Sequence, residues 1–146
     1  MLGNPTEALA ELARISTAGD DCPEVLEIRW QIEAAFKHWN HCLELATRLL
    51  EANPDQPTGW IHRSFSMHEM KRTAEAKERL LPAAQKFPKD STITYNLACY
   101  CCQLGQLDEA RHWLARAVAA SNLDRIRRMA LADPDLQPMR QEIENW

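Results

Sequence analysis

Apolar and small side chains recur along this chain at fixed offsets. Trp60, Ser64, Met67, Ala76, Leu80 and Ala83, closed by Pro88, are followed 34 residues later by Thr94, Ala98, Cys101, Ala110, Leu114 and Ala117, closed by Asn122. Leu26, Trp39, Cys42, Ala46, Leu49 and Pro54 give the same frame a third time upstream. Steps of three and four residues put these side chains on one face of a helix, and no stretch alternates as a strand would. Each window therefore predicts two helices joined by a short turn. Gly105 suits the left-handed residue that ends a first helix, and Asp90 or Ser91 suits the start of one. Pro54 and Pro88 end the second helices, because proline cannot continue one. Small side chains at Ser64 with Ala76, and at Ala98 with Ala110, let paired helices approach, while Trp60, Met67 and Leu80 fill the space beside them.

This pattern resembles the tetratricopeptide repeat (TPR) family. The resemblance implies an all-α fold, a right-handed α-α superhelix of helix-turn-helix repeats closed by a C-terminal capping helix pair. It divides a single domain over 1–146 into a half repeat (1–20, with Gly3, Pro5, Ala8, Leu12 and Ile15), repeats at 21–55, 56–89 and 90–121, and a cap at 122–146 broken at Asp133-Pro134. Terminal caps cover the last apolar face of such arrays. The first full repeat departs from the pattern. Read strictly, it puts Arg29, Trp30 and Glu33 where apolar, small and aromatic residues belong. Sliding its first helix by one residue, with an extra residue near Phe36–His38, puts Val25, Ile28, Ile32 and Ala35 on one stripe and makes Trp30 the counterpart of Phe65 and Cys99.

Composition agrees with this class. The chain has 146 residues, 45% of them hydrophobic and 26% charged, with only four glycines. That is enough for one domain with a sizeable core. The formal charge of −4 is unevenly spread, at net −6 over 1–56, +3 over 57–90 and −1 over 91–146. Lys71, Arg72, Lys77 and Arg79, and further on Arg125, Arg127 and Arg128, are interrupted by Glu75, Glu78 and Asp124, as on a solvated helix face, so no nucleic-acid partner is expected. The opening residues lack a signal-peptide pattern and no apolar run approaches a membrane span, so no membrane partner is expected either. Five cysteines without a secretion signal suit free thiols and a cytoplasmic location.

The densest chemistry is ACYCCQLG at 98–105. Cys99 and Cys102 share one helix face, whereas Cys101 falls at the core position of Met67. With His68, Cys99 and Cys102 compose a remote metal or thiol site, but zinc sites usually draw paired ligands from turns, so no metal and no cofactor is expected. His68-Glu69 lacks the second histidine of a zinc-protease string, Arg72 standing in its place. Adjacent His41 and Cys42 point about 100° apart on a helix and so do not form a base and nucleophile. No catalytic residue and no enzyme are expected.

What remains is the inner face. The resemblance puts the first helix of each repeat along a concave groove, where Leu26, Trp30, Ile61, His62, Phe65, His68, Tyr95, Asn96, Cys99 and Cys102 are expected to bind a peptide or helix of a partner protein, Trp30 and Phe65 serving as exposed hot spots. Some TPR domains hold C-terminal carboxylates with a Lys, Arg and Asn clamp, of which only Asn96 is matched here. Two alternatives accompany the reading of a monomer or weak homodimer that binds peptides. In one, the strip is covered by the chain's own termini or by another copy, as in a structural or oligomerisation scaffold; in the other, Cys99, Cys102 and His68 form the metal or thiol site.

Overall fold

The computed structural model describes residues 6–7 and 22–146. Thr6 and Glu7 are helical and exposed; the rest of the half repeat expected over 1–20 lies outside the described residues. Three helix pairs follow: α1 (Pro23–Ala35) with α2 (Trp39–Ala52), α3 (Pro57–Glu69) with α4 (Thr73–Lys86), and α5 (Ser91–Gln103) with α6 (Leu107–Ala120). Then come α7 (Leu123–Ala132), a 3-10 turn (Pro134–Met139) and α8 (Arg140–Glu144). The described residues contain no strand. None of their helices is long and apolar enough to cross a membrane.

The helix boundaries themselves keep the 34-residue offset through all three pairs. The turns show why. Lys37, Lys71 and Gly105 occupy the left-handed region, with φ of 59°, 65° and 75°. In each turn the following amide donates back to a carbonyl five residues earlier, His38 to Glu33, Arg72 to Met67 and Gln106 to Cys101, every one at 2.9 Å. This Schellman closure satisfies the helix's last carbonyls and turns the chain back within three residues. Two of the three turns accept a lysine where glycine would be free of Cβ strain. The helix starts are less uniform. Pro23 and Pro57 open α1 and α3, where a missing amide costs nothing, whereas Asp90 caps α5 by accepting from the amides of Thr92 and Ile93.

These boundaries correct the slid register expected for α1. No extra residue enters the turn at 36–38, and Trp30 stands at the small position of Ser64 and Ala98, not at that of Phe65 and Cys99. Leu26 and Trp30 pack on Cys42, Leu45, Ala46 and Leu49 of α2. Of the stripe expected instead, Ile32 is buried and Val25 half-buried, but Ile28 and Ala35 are exposed. A tryptophan fits the small position because the next repeat makes room. Its indole nitrogen donates to Ser66 Oγ at 3.0 Å. One repeat on, the same pair of positions holds Ser64 and Tyr100, their hydroxyls 3.1 Å apart. Large meets small across both contacts, with the large partner on opposite sides. Total volume is thereby kept, which is what close packing demands.

A larger core runs from Met67 through Ala76, Leu80, Ala98, Tyr100 and Leu114 to Ile126, Leu136 and Ile143. The cap joins this core through a change of spacing. Asn122 stands where Pro88 closed the previous repeat, and its side chain accepts from the amide of Arg125 at 2.8 Å, so α7 begins at Leu123, two residues ahead of the frame. Pro134 disfavours a helical Asp133 and ends α7 at Ala132. Lys77, expected on a solvated face, instead reaches into the next repeat, its ammonium 2.7 Å from both Gln106 and Glu109.

Candidate functional site

The face made by α1, α3 and α5 carries the expected site residues. They divide into two clusters. In the first, Trp30 stacks on His62 with ring centroids 3.7 Å apart and planes 3° from parallel. Phe65 meets Trp30 and Trp39 edge-on. His62 Nε2 lies 3.0 Å from the carboxylate of Glu27. Burial against the indole pushes the His62 pKa down in spite of that carboxylate, so the neutral ring donates its Nε2 proton to Glu27.

The second cluster is built by the cap. Asp133 and the start of the 3-10 turn, residues 133–136, lie across α3 and α5. Tyr95 donates its hydroxyl to Asp133 at 2.8 Å, and the thiol of Cys99 points to the same oxygen at 3.6 Å. Asp133 also accepts from the amide of Asp135, which holds the stretch in a tight turn. His68 is engaged at both nitrogens, by Thr73 at 2.9 Å and by Asp135 at 2.8 Å. Gln103 donates to the Asp135 carbonyl at 2.7 Å. Leu136 is fully buried beneath.

The strip is therefore not the open surface expected. Leu26, Trp30, His68, Tyr95, Cys99 and Cys102 are each 8% exposed or less. Ile61, His62, Phe65 and Asn96 are half-buried. The expectation that Trp30 stands free in the monomer is corrected: at 8% exposure it is core, because it packs on α2, His62 and Phe65 together. For the half of the strip nearer the C terminus, cover by the chain itself holds. The DPDLQP break marked a cap in the sequence, but nothing local to it said that its two carboxylates would land on Tyr95 and His68.

The cysteine cluster has a protective environment rather than an activating one. Burial pushes Cys42 up to about 11, with the Glu33 carboxylate adding to the effect. Burial raises Cys99 well above its ordinary value, and Asp133 and Asp135 add to it. Cys101 and Cys102 rise for the same first reason, as do the phenols of Tyr95 and Tyr100. Protonated thiols are poor nucleophiles and poor metal ligands. His68 has already spent both ring nitrogens, so it is not the free third ligand that a site with Cys99 and Cys102 needs. These shifts make stability fall in alkali. Above about pH 8.5, the ordinary thiol value, the unfolded chain releases protons that the folded chain keeps. Every further step up in pH therefore favours unfolding, until the folded Cys42 itself titrates near 11. Urea midpoints should be level at neutral pH and drop steadily from about pH 8.5 to about pH 10; a flat profile would mean that the thiols ionise as readily folded as unfolded.

Among the described residues, one group has its donor atoms clustered at ligand spacing. It is Glu33, His38 and His41, at the turn between α1 and α2. Its signal is a Glu followed by His five and eight residues later across a predicted helix-turn-helix.

The tetratricopeptide repeat family model matches residues 67–133. No curated protein matches the chain. The matched stretch spans the turn into α4, the whole of repeat 3 and the helix α7 that leads into the Asp133 contact. Repeats of this family generally mediate contacts between proteins and are typically non-catalytic.

Proposed function

We propose that this chain, whose residues 67–133 carry tetratricopeptide repeats, is a protein-interaction module that takes a peptide segment of a partner on its first-helix face, at Ile61, His62, Phe65 and Asn96. One observation supports this reading above the others. The chain's own 133–136 stretch is already seated on that face, its carboxylates held by Tyr95 and His68 and its backbone by Gln103. Side chains that hold the carboxylates and backbone of a short 3-10 turn and its cap within one chain present the same chemistry to a segment from another. The half-buried residues continue that face toward repeat 1 with aliphatic, aromatic and amide surface, the composition that anchors partners. Leu26, Trp30, His68, Tyr95, Cys99 and Cys102 serve beneath or beside it as the buried residues that fix its shape.

The test is a tiled peptide library probed with the wild-type protein and with an Ile61→Ser/Asn96→Ala variant of unchanged circular dichroism. Binding peptides should lose at least about tenfold in affinity, roughly 1.4 kcal/mol, on the variant, while Glu78→Ala on the second-helix side leaves them unaffected. Equal binding by both proteins would reject the site. A dimer in light scattering that the same double substitution dissolves would favour the oligomerisation reading instead.

A further inference from the structure

At the turn between α1 and α2 three side chains converge from separate backbone segments. Glu33 comes from the last turn of α1, His38 immediately precedes α2, and His41 lies in the first turn of α2. His38 Nδ1 is 2.7 Å and His41 Nδ1 is 3.3 Å from the same carboxylate oxygen of Glu33. All three donor atoms fall within 4.8 Å of one another. We propose that Glu33, His38 and His41 bind a divalent transition-metal ion of the zinc, nickel and copper class.

Lys37 in the left-handed region and the His38-to-Glu33 amide bond fix the turn, so the two imidazoles and the carboxylate meet without a long loop to order. Bonds of about 2.0–2.2 Å in a tetrahedral shell put neighbouring donor atoms about 3.3–3.5 Å apart. The His41 nitrogen already stands at that separation from Glu33, at 3.3 Å, and the His38 nitrogen, at 2.7 Å, has to move out by about 0.6–0.8 Å. Phe36 lies flat beside the His38 ring, centroids 5.8 Å apart and planes 19° from parallel, while the His38 and His41 rings stand edge to face; these contacts restrict how far the imidazoles turn.

Ligand type then selects the metal. Two imidazoles with one carboxylate suit borderline ions, whereas magnesium and calcium prefer an all-oxygen shell. Three protein donors leave a fourth position open to solvent, since both histidines are exposed. The other repeats show what this corner otherwise holds. The positions of Glu33, His38 and His41 become Met67, Arg72 and Glu75, then Cys101, Gln106 and Glu109. There the corner carboxylate meets a cation from the protein itself: Arg72 binds Glu75 at 2.8 Å, and Lys77 binds Glu109 at 2.7 Å. In repeat 1 the carboxylate faces two imidazoles, and the metal ion takes the place of that cation.

Cobalt(II) is the discriminating probe, because it reports its ligands by absorption. Added to the reduced full-length protein, it should bind at one ion per chain with visible d–d bands and no near-ultraviolet thiolate charge-transfer band. His38→Ala, His41→Ala and Glu33→Gln should each weaken binding at least about tenfold, and Cys22→Ser should leave it unchanged. Zinc should raise the wild-type melting temperature and not that of His41→Ala, when both melt alike in chelator. Equal binding by a His38→Ala/His41→Ala variant, a thiolate band, or no binding at all would overturn the site.

Discussion

Trp30→Ala is expected to destabilise the folded chain by about 3–5 kcal/mol, the cost of emptying a large aromatic site in a close-packed core. The loss has several parts. The indole covers Leu26 and the α2 residues Cys42, Leu45 and Ala46, stacks on His62, and leaves Ser66 without its donor when removed. Urea unfolding followed by circular dichroism measures it directly. Phe65→Ala should cost clearly less, because Phe65 is only half-buried. A variant in which Trp30 is the sole tryptophan should emit at short wavelength and resist iodide. If Trp30→Ala costs under about 1 kcal/mol, the indole is not part of the core.

Gly59→Ala is expected to destabilise the fold far more than a single added methyl group ordinarily does. Gly59 lies in the first turn of α3, and a Cβ built on it would stand 2.7 Å from both the Cα and the backbone nitrogen of Leu50 in α2. Backbone atoms do not rotate away. The two helices must separate, and overpacking of this kind costs about 1–3 kcal/mol or more. Because this contact couples repeat 1 to repeat 2, hydrogen exchange should accelerate across α1 and α2 ahead of α5 and α6. Gly105→Ala is the useful contrast, since no atom crowds its Cβ and only its left-handed φ resists the change. Equal melting of Gly59→Ala and wild type would mean that α2 and α3 are not in backbone contact there.

Much of the architecture was legible in the chain. The helix-turn-helix windows, the left-handed Gly105, the Asp90 cap and the break at Asp133-Pro134 are all local consequences of residue type, and each occurs where the pattern puts it. The register of α1 was not legible. Trp30 read as a misfit at a small position because the residue that accommodates it, Ser66, lies 36 positions away on another helix. Sliding the helix relieved a conflict that the fold resolves by exchanging volumes, and the Ser64–Tyr100 pair makes the same exchange in the opposite sense. Glu33, His38 and His41 form no legible motif for a related reason, since they meet only after Lys37 turns the chain back on itself.

The sequence by itself determined what repeats. Periodicity, turn residues and breakers act over a few positions, and those are enough to specify helices, their lengths and the 34-residue frame that carries them. Only the tertiary structure decided what is covered. Whether Tyr95, Cys99, Cys102 and His68 face solvent depends on where Asp133 and Asp135 come to rest, and that is set by the early start of α7 at Asn122 together with the burial of Leu136. Burial of a side chain is a sum over everything packed on it. A stripe that repeats in sequence has the same backbone environment in each repeat, but its two ends meet different neighbours, and those neighbours decide whether the same helix face is core or surface.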